Sequence, residues 1–343
     1  MKETVYIPTI HSVAEEAGVS IATVSRVING ATNVKPETAK RVHVAIQKTG
    51  YEKTTFNRTN TEEPSRIIGF MCADLTSPML MEVLQLLEEH LRLYDYSVMV
   101  MNTNEDPDIE RRQLKMMAER NVDAIIAYST GRNEELLYDL QNSGIPILLV
   151  DRRPREYNIS AVYADKGYGM YEALEYLIRD LEHHEIGIIT ADPGLPTNED
   201  RERGLKKFFK DHPEYDNVHL FREHGTFTRE FGYEATGRLM VKGVSAVIAC
   251  SQKICAGVFE YCKQVGVRIP EDVSVISFGT FTLASLIEPT LTYIGDRNKD
   301  VALTMIEWVS QVVRNGNYHG MNKVFLPRLI IGASCEKHRD VHE

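Results

Sequence analysis

The start of the chain carries apolar side chains at the spacing of short amphipathic helices. A first helix is predicted over Ile10 to Ala17, with Thr9 as its N-cap and Gly18 as its end. Its apolar face consists of Ile10, Val13, Ala14 and Ala17.

Two more helices are predicted in the same stretch. The second runs from about Ile21 to Asn29, after Ser20 as N-cap and before Gly30. The third begins at Pro36, because proline suits the first turn of a helix. The residues that we expect to face inward recur at helical spacing toward Gly50. They are Thr38, Val42, Ala45, Ile46 and Thr49.

The second helix has two contrasting faces. Val24, Val27 and Ile28 share one side, which we expect to be buried. The opposite side holds Ala22, Ser25, Arg26 and Asn29. Small side chains allow a helix to enter the major groove of DNA, and arginine is the commonest reader of guanine. The pattern alone fits a DNA-reading helix or a solvated helical hairpin.

The pattern changes after the third helix. Residues 52–66 are polar, lack periodicity and contain Pro64, which is typical of a linker. From Ile67 onward, short apolar runs alternate with helical segments, which predicts βαβ units and parallel sheets. The runs are IIGFMCA, YSVMVMN, VDAIIAY, IPILLVD, EIGIITA, NVHLFRE, SAVIAC and DVSVISF. They are too many for one doubly wound unit, so we expect two lobes.

Charge separates the two parts of the chain. The 343 residues carry a net charge of −10, but residues 1–58 carry +3 and the remainder −13. A small basic module on an acidic body suits a protein that contacts phosphates with one end only.

Several other classes of protein are disfavoured. The N-terminus MKETVYIPTI lacks the apolar run of a signal peptide, and no segment has the ~18 consecutive apolar residues of a membrane span. The five cysteines show no metal-binding spacing, so we expect reduced thiols in a cytoplasmic protein without a metal or cofactor. An α/β enzyme would need a catalytic or phosphate-binding motif, and we find none. A periplasmic solute-binding protein would need a signal peptide.

The string AGVSIATVSRVINGATNVKPET, followed by GY, resembles the helix-turn-helix headpiece of the LacI family over about 43 residues. The IATVSR and NVKP strings are most like the catabolite control protein branch. The resemblance implies that Ile21, Ala22 and Arg26 read bases. It also implies that the other DNA-binding residues contact phosphate or brace the motif; they are Thr9, Ser20, Thr23, Ser25 and Asn29.

The linker departs from the family pattern GYxPNxxARxL, whose leucine wedges into the minor groove. Arg58 matches the family arginine and joins the predicted DNA-binding set, but Lys53, Thr54 and Asn60 replace the proline, asparagine and leucine. Phe56 would supply an apolar wedge only if the linker aligned with the family pattern in another register. The sequence therefore leaves open whether the linker forms a hinge helix, and we expect it to bend DNA less than relatives do.

The rest of the chain resembles the family's core, which is similar to periplasmic binding proteins. The matches include ADLTSP, LVDR, VYADKGYG, DRERGLKKF, GTFTREFGY and IPEDVSVISF. They imply a headpiece over 1–51, a linker or hinge over 52–66, a first Rossmann-like lobe over 67–163 and 293–325, and a second over 164–292 and 326–337. Ligands in such folds bind between the lobes, at the carboxyl ends of the strands.

The same matches predict an effector site. Its residues are Asp74, Ser77, Asp165, Arg201 and Phe227. Arg201 would grip a ligand hydroxyl or carboxylate, with a solvated arginine as the alternative, and Phe227 would stack on a ligand ring, with a core aromatic as the alternative.

Other positions have lost the usual sugar-binding groups. Ser251-Gln252 stands where the family carries Asn-Asp, the segment 277–280 (SFGT) lacks the usual acid, and Met79 and Leu80 replace aromatics. Hydroxyl groups left without acceptors each cost ~1–3 kcal/mol. We therefore expect an effector unlike a simple sugar, or a protein partner in its place.

The resemblance implies a homodimeric regulator, expected to be a repressor, because two headpieces read a palindromic operator in double-stranded DNA. A degenerate family member without a small-molecule effector remains the alternative. An amphipathic helix is predicted after Tyr293, and its apolar residues fit the core better than an interface; they are Val301, Met305, Trp308, Val309 and Val312.

Overall fold

The computed structural model describes residues 10–28, 34–49, 63–280, 287–295, 297–316 and 320–338. The chain divides into two compact units, residues 1–59 and 60–343. We call the first the headpiece and the second the body.

The described headpiece contains three helices, α1 (Ile10–Ala17), α2 (Ile21–Ile28) and α3 (Pro36–Thr49). A small apolar core joins them, and its buried members are Val13, Ala14, Ala17, Val24, Val27, Val42 and Ala45. The predicted periodicity is therefore confirmed, with Ile28 half-buried beside this core.

Turn chemistry sets the angle between α1 and α2. Gly18 has φ +61°, a left-handed conformation that favours glycine. Arg41 of α3 donates from Nη2 to the Gly18 carbonyl at 2.9 Å and from Nε to the Ala17 carbonyl at 3.1 Å. The carbonyl groups at the end of α1 thereby gain partners that the helix itself cannot supply.

The body consists of two α/β lobes. The first lobe contains β1 (Ile67–Cys72), α4 (Pro78–Arg92), β2 (Ser97–Asn102), α5 (Pro107–Glu119), β3 (Ala124–Ala127), α6 (Glu134–Asn142), β4 (Ile147–Val150) and β5 (Ser160–Ala164), and later α11 (Asn298–Asn315) and β11 (Asn322–Phe325). Its described strands form a parallel sheet in the order β11-β5-β4-β3-β1-β2.

The second lobe repeats this plan. It contains α7 (Lys166–Glu175), β6 (Glu185–Ala191), α8 (Pro196–Asp211), β7 (His219–Gly225), α9 (Arg229–Val241), β8 (Ala246–Ala249), α10 (Gln252–Val265), β9 (Ser274–Phe278), β10 (Thr292–Gly295) and β12 (Arg328–Ile330). Its described strands follow the order β12-β10-β9-β8-β6-β7, with β12 antiparallel to β10.

All eight apolar runs form strands, so the prediction of parallel sheets in two lobes is confirmed. Strands such as β3 and β4 are buried along their whole length, because helices cover both faces of each sheet. The five apolar residues of α11 lie in the core of the first lobe, as predicted.

One predicted boundary is displaced. The first segment of the second lobe was expected to end at residue 292, but β10 extends to Gly295 and pairs with β9, Thr292 lying opposite Ile276. The strand must complete the second sheet before α11 can return to the first lobe. Within the described ranges, no helix has the length and apolar character needed to span a membrane.

Candidate DNA-binding surface and interlobe cleft

Helix α2 presents a polar surface opposite its buried stripe. Arg26 is exposed, whereas Val24 and Val27 face the headpiece core. Before this helix, Ser20 is exposed and its hydroxyl lies 2.9 Å from the Thr23 hydroxyl and 3.3 Å from the Thr23 amide. The amide contact is the N-cap geometry predicted for Ser20.

The remaining residues predicted to bind DNA are placed unevenly. Ile21 is half-buried against the headpiece core, so only part of its surface is available. Ala22 and Ser25 lie in α2, but their side chains are outside the description. The predictions for Thr9, Asn29 and Arg58, like those for the linker residues, fall outside the described residues.

A cavity of about 500 Å³ lies between the two lobes of the body. Its walls come from the carboxyl ends of strands and from the helices that follow them, where ligands bind in open α/β sheets. Residues that line it include Asp74, Ser77, Leu80, Glu105, Tyr128, Asp151, Arg152, Lys166, Thr197, Arg201, Phe227, Gln252, Lys253, Phe278 and Asn298. We call this cavity the cleft.

The cleft brings together four of the five predicted effector residues. Asp74 and Ser77 enter it from the turn between β1 and α4, Arg201 from α8, and Phe227 from the loop after β7. The positions that lack the usual sugar-binding groups also reach the cleft, through Gln252 and Gly279.

Asp165 is the exception, since the described lining of the cleft does not include it. Its carboxylate accepts hydrogen bonds from the backbone amides of Gly167 and Tyr168, at 2.9 and 3.1 Å, and so caps α7. Arg203 also pairs with it at 3.0 Å. Asp165 does follow a strand, as the sequence indicated. Its carboxylate, however, accepts hydrogen bonds from the free amides at the start of α7.

An ion pair joins the lobes at one rim of the cleft. Lys253 Nζ of α10 lies 2.5 Å from Asp74 Oδ2 and donates to the Thr76 hydroxyl at 2.9 Å. Partial burial alone would raise the pKa of Asp74, but hydrogen bonds from Lys253 and Thr76 outweigh it and hold the pKa below its ordinary value. Asp74 is therefore ionised and already engaged.

The other two carboxylates of the cleft are also paired. Glu105 receives Arg152 Nη2 at 2.6 Å, and Asp151 receives Lys166 Nζ at 3.0 Å. Burial would raise the pKa of Asp151, but Lys166 and Arg152 outweigh it and lower the pKa. Asp151 has φ +68°, an uncommon conformation for a residue with a side chain. The lining acids thus serve the protein's own cations.

Arg201 is held differently from these cations. Its Nη1 donates to Asn198 Oδ1 at 2.8 Å and its Nη2 to the Cys250 carbonyl at 3.0 Å. The guanidinium lies 4.6 Å from the centre of the Phe278 ring. Arg201 is only 7% exposed, which rejects the alternative of a solvated arginine.

Apolar side chains form much of the remaining wall. They include Leu80, Tyr128 and Phe278, which are buried, and Phe227, which is half-buried against the core of the second lobe. Phe227 therefore packs on that core and also faces the cleft. The side chain of Met79 is outside the description. Among the described residues, no three His, Cys, Asp or Glu side chains group as metal ligands would.

Sequence reasoning missed several lining residues, notably Tyr128, Lys166, Lys253 and Asn298. Tyr128 directly follows β3 and Lys166 begins α7, so their position after a strand was a usable signal. Lys253 is the second residue of α10, and its partner Asp74 in the other lobe is far away in sequence. Only the tertiary structure brings that pair together.

Two family models match the chain. Residues 9–53 match the model of bacterial regulatory proteins of the lacI family, and residues 175–335 match that of a periplasmic binding protein-like domain. These matches cover the described headpiece helices and most of the second lobe.

Relatives and solved structures match the chain over a longer span than either family model does. Catabolite control protein A of Staphylococcus epidermidis is 26% identical over 94% of this chain and 97% of its own length. The HTH-type transcriptional repressor PurR of Pasteurella multocida is 29% identical over 83% and 86%. A structure of the transcriptional regulator CelR with cellobiose shares the fold, with a TM-score of 0.70 and 23% identity over 95% of this chain and 99% of that one. The chain belongs to the LacI family of bacterial DNA-binding transcriptional regulators.

Proposed function

We propose that this regulator is a cytoplasmic repressor that binds a palindromic operator as a homodimer and responds to an effector in the cleft. It acts by binding and not by catalysis. The observation that carries the proposal is helix α2, on which Arg26 is exposed opposite the buried pair Val24 and Val27. A single headpiece of this size reads one half-site, so a palindrome needs two copies.

The geometry of α2 favours direct base reading by Arg26. Its guanidinium can donate two parallel hydrogen bonds to O6 and N7 of guanine. No described salt bridge or hydrogen bond engages its side chain, so the fork is available for DNA. Ser20 and Thr23 stand at the start of the same helix, where hydroxyl groups suit contacts to phosphate.

The cleft supports a small-molecule effector that is not a simple sugar. A cavity of about 500 Å³ has room for a ligand, which favours an effector over the alternative of a regulator without one. Neutral sugars are held by carboxylate and amide acceptors, yet each lining carboxylate is paired with a lysine or arginine of the protein. An inserted sugar would have to displace one of those cations.

Substitution of Arg26 tests the DNA-binding part. Operator sequences selected from random DNA serve as the substrate, and Arg26→Ala should weaken binding to them by ~1–3 kcal/mol and relax the preference at one base pair. Arg26→Lys should keep part of the affinity, because it retains the charge, but should lose the preference, because lysine lacks the planar fork. Wild-type affinity and discrimination in Arg26→Ala would show that α2 is not the recognition helix.

A further inference from the structure

We propose that Arg41 of α3 is a positioning residue for DNA reading. Its guanidinium holds the turn between α1 and α2, and thereby sets the direction in which α2 presents Arg26. The inference rests on the proposed function, in which α2 reads bases, and adds a residue that acts through this helix without touching a base.

The turn is short and begins at a helix end that needs partners. Residues 18–20 separate Ala17, the last residue of α1, from Ile21, the first residue of α2. The last carbonyl groups of a helix have no amide of the same helix to bind, so other donors must satisfy them. Gly18, at φ +61°, turns the backbone away from α1 in a conformation that other residues rarely adopt.

Arg41 binds two carbonyl groups of this turn at once. Nε and Nη2 both donate to the Ala17 carbonyl, Nε at 3.1 Å, and Nη2 also donates to the Gly18 carbonyl at 2.9 Å. A guanidinium is planar and carries its N–H groups in a fixed fork, so it holds the two carbonyl groups in one relative orientation. The direction in which the chain leaves α1 is thereby fixed.

The headpiece core anchors Arg41 but leaves room for a polar brace. Val42, the next residue of α3, is fully buried, and so is Val24 of α2. All described buried members of this core are valines and alanines. Because such small side chains bury little apolar surface, the angle of α2 depends also on polar contacts such as those of Arg41.

A defined angle of α2 matters more for specific than for non-specific binding. Arg26 reads guanine only if two of its donors meet O6 and N7 together, which requires placement within about 0.5 Å. Attraction to phosphates depends on the number of charges and tolerates a tilted helix. Loss of the brace should therefore reduce the affinity for the operator and spare the affinity for unrelated DNA.

Arg41→Ala in the full-length protein tests this difference. Fluorescence anisotropy measures its binding to an operator selected from random DNA and to a scrambled duplex, over a series of salt concentrations. The control is Lys48→Ala, which removes the same charge and an ion pair between α3 and α1, with Glu16 at 2.7 Å, about two helical turns beyond Arg41. Relative to this control, we expect the operator affinity to fall about tenfold, the loss of a charged hydrogen-bond donor, and the affinity for scrambled DNA to stay the same.

A conservative variant separates positioning from folding. Arg41→Lys keeps the charge but lacks the fork, so it should recover part of the operator affinity. Hydrogen exchange followed by mass spectrometry is the second measurement, and Arg41→Ala should speed exchange in residues 18–28 and leave α3 as in the wild type. If all three helices exchange faster, Arg41→Ala has unfolded the headpiece, and Arg41→Lys decides. An operator-to-scrambled affinity ratio below that of the wild type then supports the proposal, and an equal ratio contradicts it.

Two results would overturn the proposal. Equal losses on operator and scrambled DNA, with a salt dependence reduced by about one phosphate contact, would make Arg41 a direct phosphate ligand. An unchanged affinity ratio in both Arg41 variants would show that the turn needs no brace. Arg26→Ala is measured in the same assay. If it too keeps the operator preference, the proposed function has failed, and if it alone loses that preference, only the positioning role of Arg41 has failed.

Discussion

At the scale of single residues, His183 shows how burial fixes a protonation state. It is 3% exposed, and its Nε2 lies 3.0 Å from the Glu336 carbonyl, which can only accept. Nε2 therefore carries the hydrogen, and Nδ1, 2.9 Å from the Ser245 hydroxyl, accepts. Burial lowers the pKa of His183 from 6.5 to about 4, and the nearby His338 and His184 act in the same direction.

This shift predicts acid sensitivity of the folded body. Because the folded pKa lies below the unfolded one, the contribution of His183 is complete above pH 6.5 and is lost as the pH falls from 6.5 toward 4. The loss amounts to about 3 kcal/mol at most. Chemical denaturation at pH 8 and pH 4.5 measures it. His183→Asn should remove most of this pH dependence, whereas His184→Asn should retain it. An unchanged acid loss in His183→Asn would contradict the assignment.

Single residues also mark where sequence reasoning stopped. The place of Arg201 and Phe227 in the cleft could be predicted, because both lie within strings of sequence that resemble the family. Asp165 was predicted for the cleft from its place after a strand, but the structure uses its carboxylate to cap α7. A carboxylate at a strand end can serve the next helix or a ligand, and the linear pattern does not distinguish these roles.

At the scale of elements, α7 and α8 pack with their backbones almost in contact. A Cβ built on Gly204 of α8 would lie 1.9 Å from the Gly167 carbonyl oxygen, and one on Gly167 would lie 2.6 Å from the Asp200 carbonyl oxygen. Glycine is thus required at both positions. The close approach fixes α8, and with it Thr197 and Arg201, against the start of the second lobe.

Gly204→Ala is therefore expected to destabilise the body. The added methyl group meets backbone, so the helices must separate, at a cost of about 1–3 kcal/mol or more. Gly237→Ala is the matched control, also a helical glycine, where the new Cβ meets the ring edge of Tyr261 at 3.0 Å. That side chain can rotate, and alanine gains up to ~1 kcal/mol of helix propensity. Denaturant titrations that rank the two variants equally would contradict the packing argument.

The helices and strands could be predicted from the sequence better than the contacts between them. Apolar periodicity located α1 to α3 and all eight predicted strands, because local burial determines those patterns. The pattern missed four of the described strands, β5, β10, β11 and β12, and of these only β5 is buried along most of its length. It also placed a lobe boundary before Gly295, since nothing in the local sequence shows which sheet a short strand joins.

At the scale of the whole body, ion pairs connect the two lobes. Lys253 of the second lobe binds Asp74 of the first, and Arg153 of the first binds Asp200 of the second at 2.8 Å. Each pair requires the lobes to be close together. These pairs therefore favour the arrangement in which the two lobes are close together.

Removal of one of these contacts should shift the body toward an open form. Lys253→Met keeps the length of the side chain but deletes the ion pair with Asp74. In that pair the Lys253 side chain is 45% exposed and the Asp74 side chain 33% exposed. A pair of that exposure contributes about 1 kcal/mol at most, so the ratio of open to closed molecules should rise by up to about fivefold. Small-angle X-ray scattering should then give a larger radius of gyration without effector.

High salt should produce the same change in the wild type, because it screens the pair. Lys263→Met, an exposed position of the same helix α10, should scatter as the wild type does. Equal radii for the two variants at low and high salt would show that packing, and not charge, holds the lobes together.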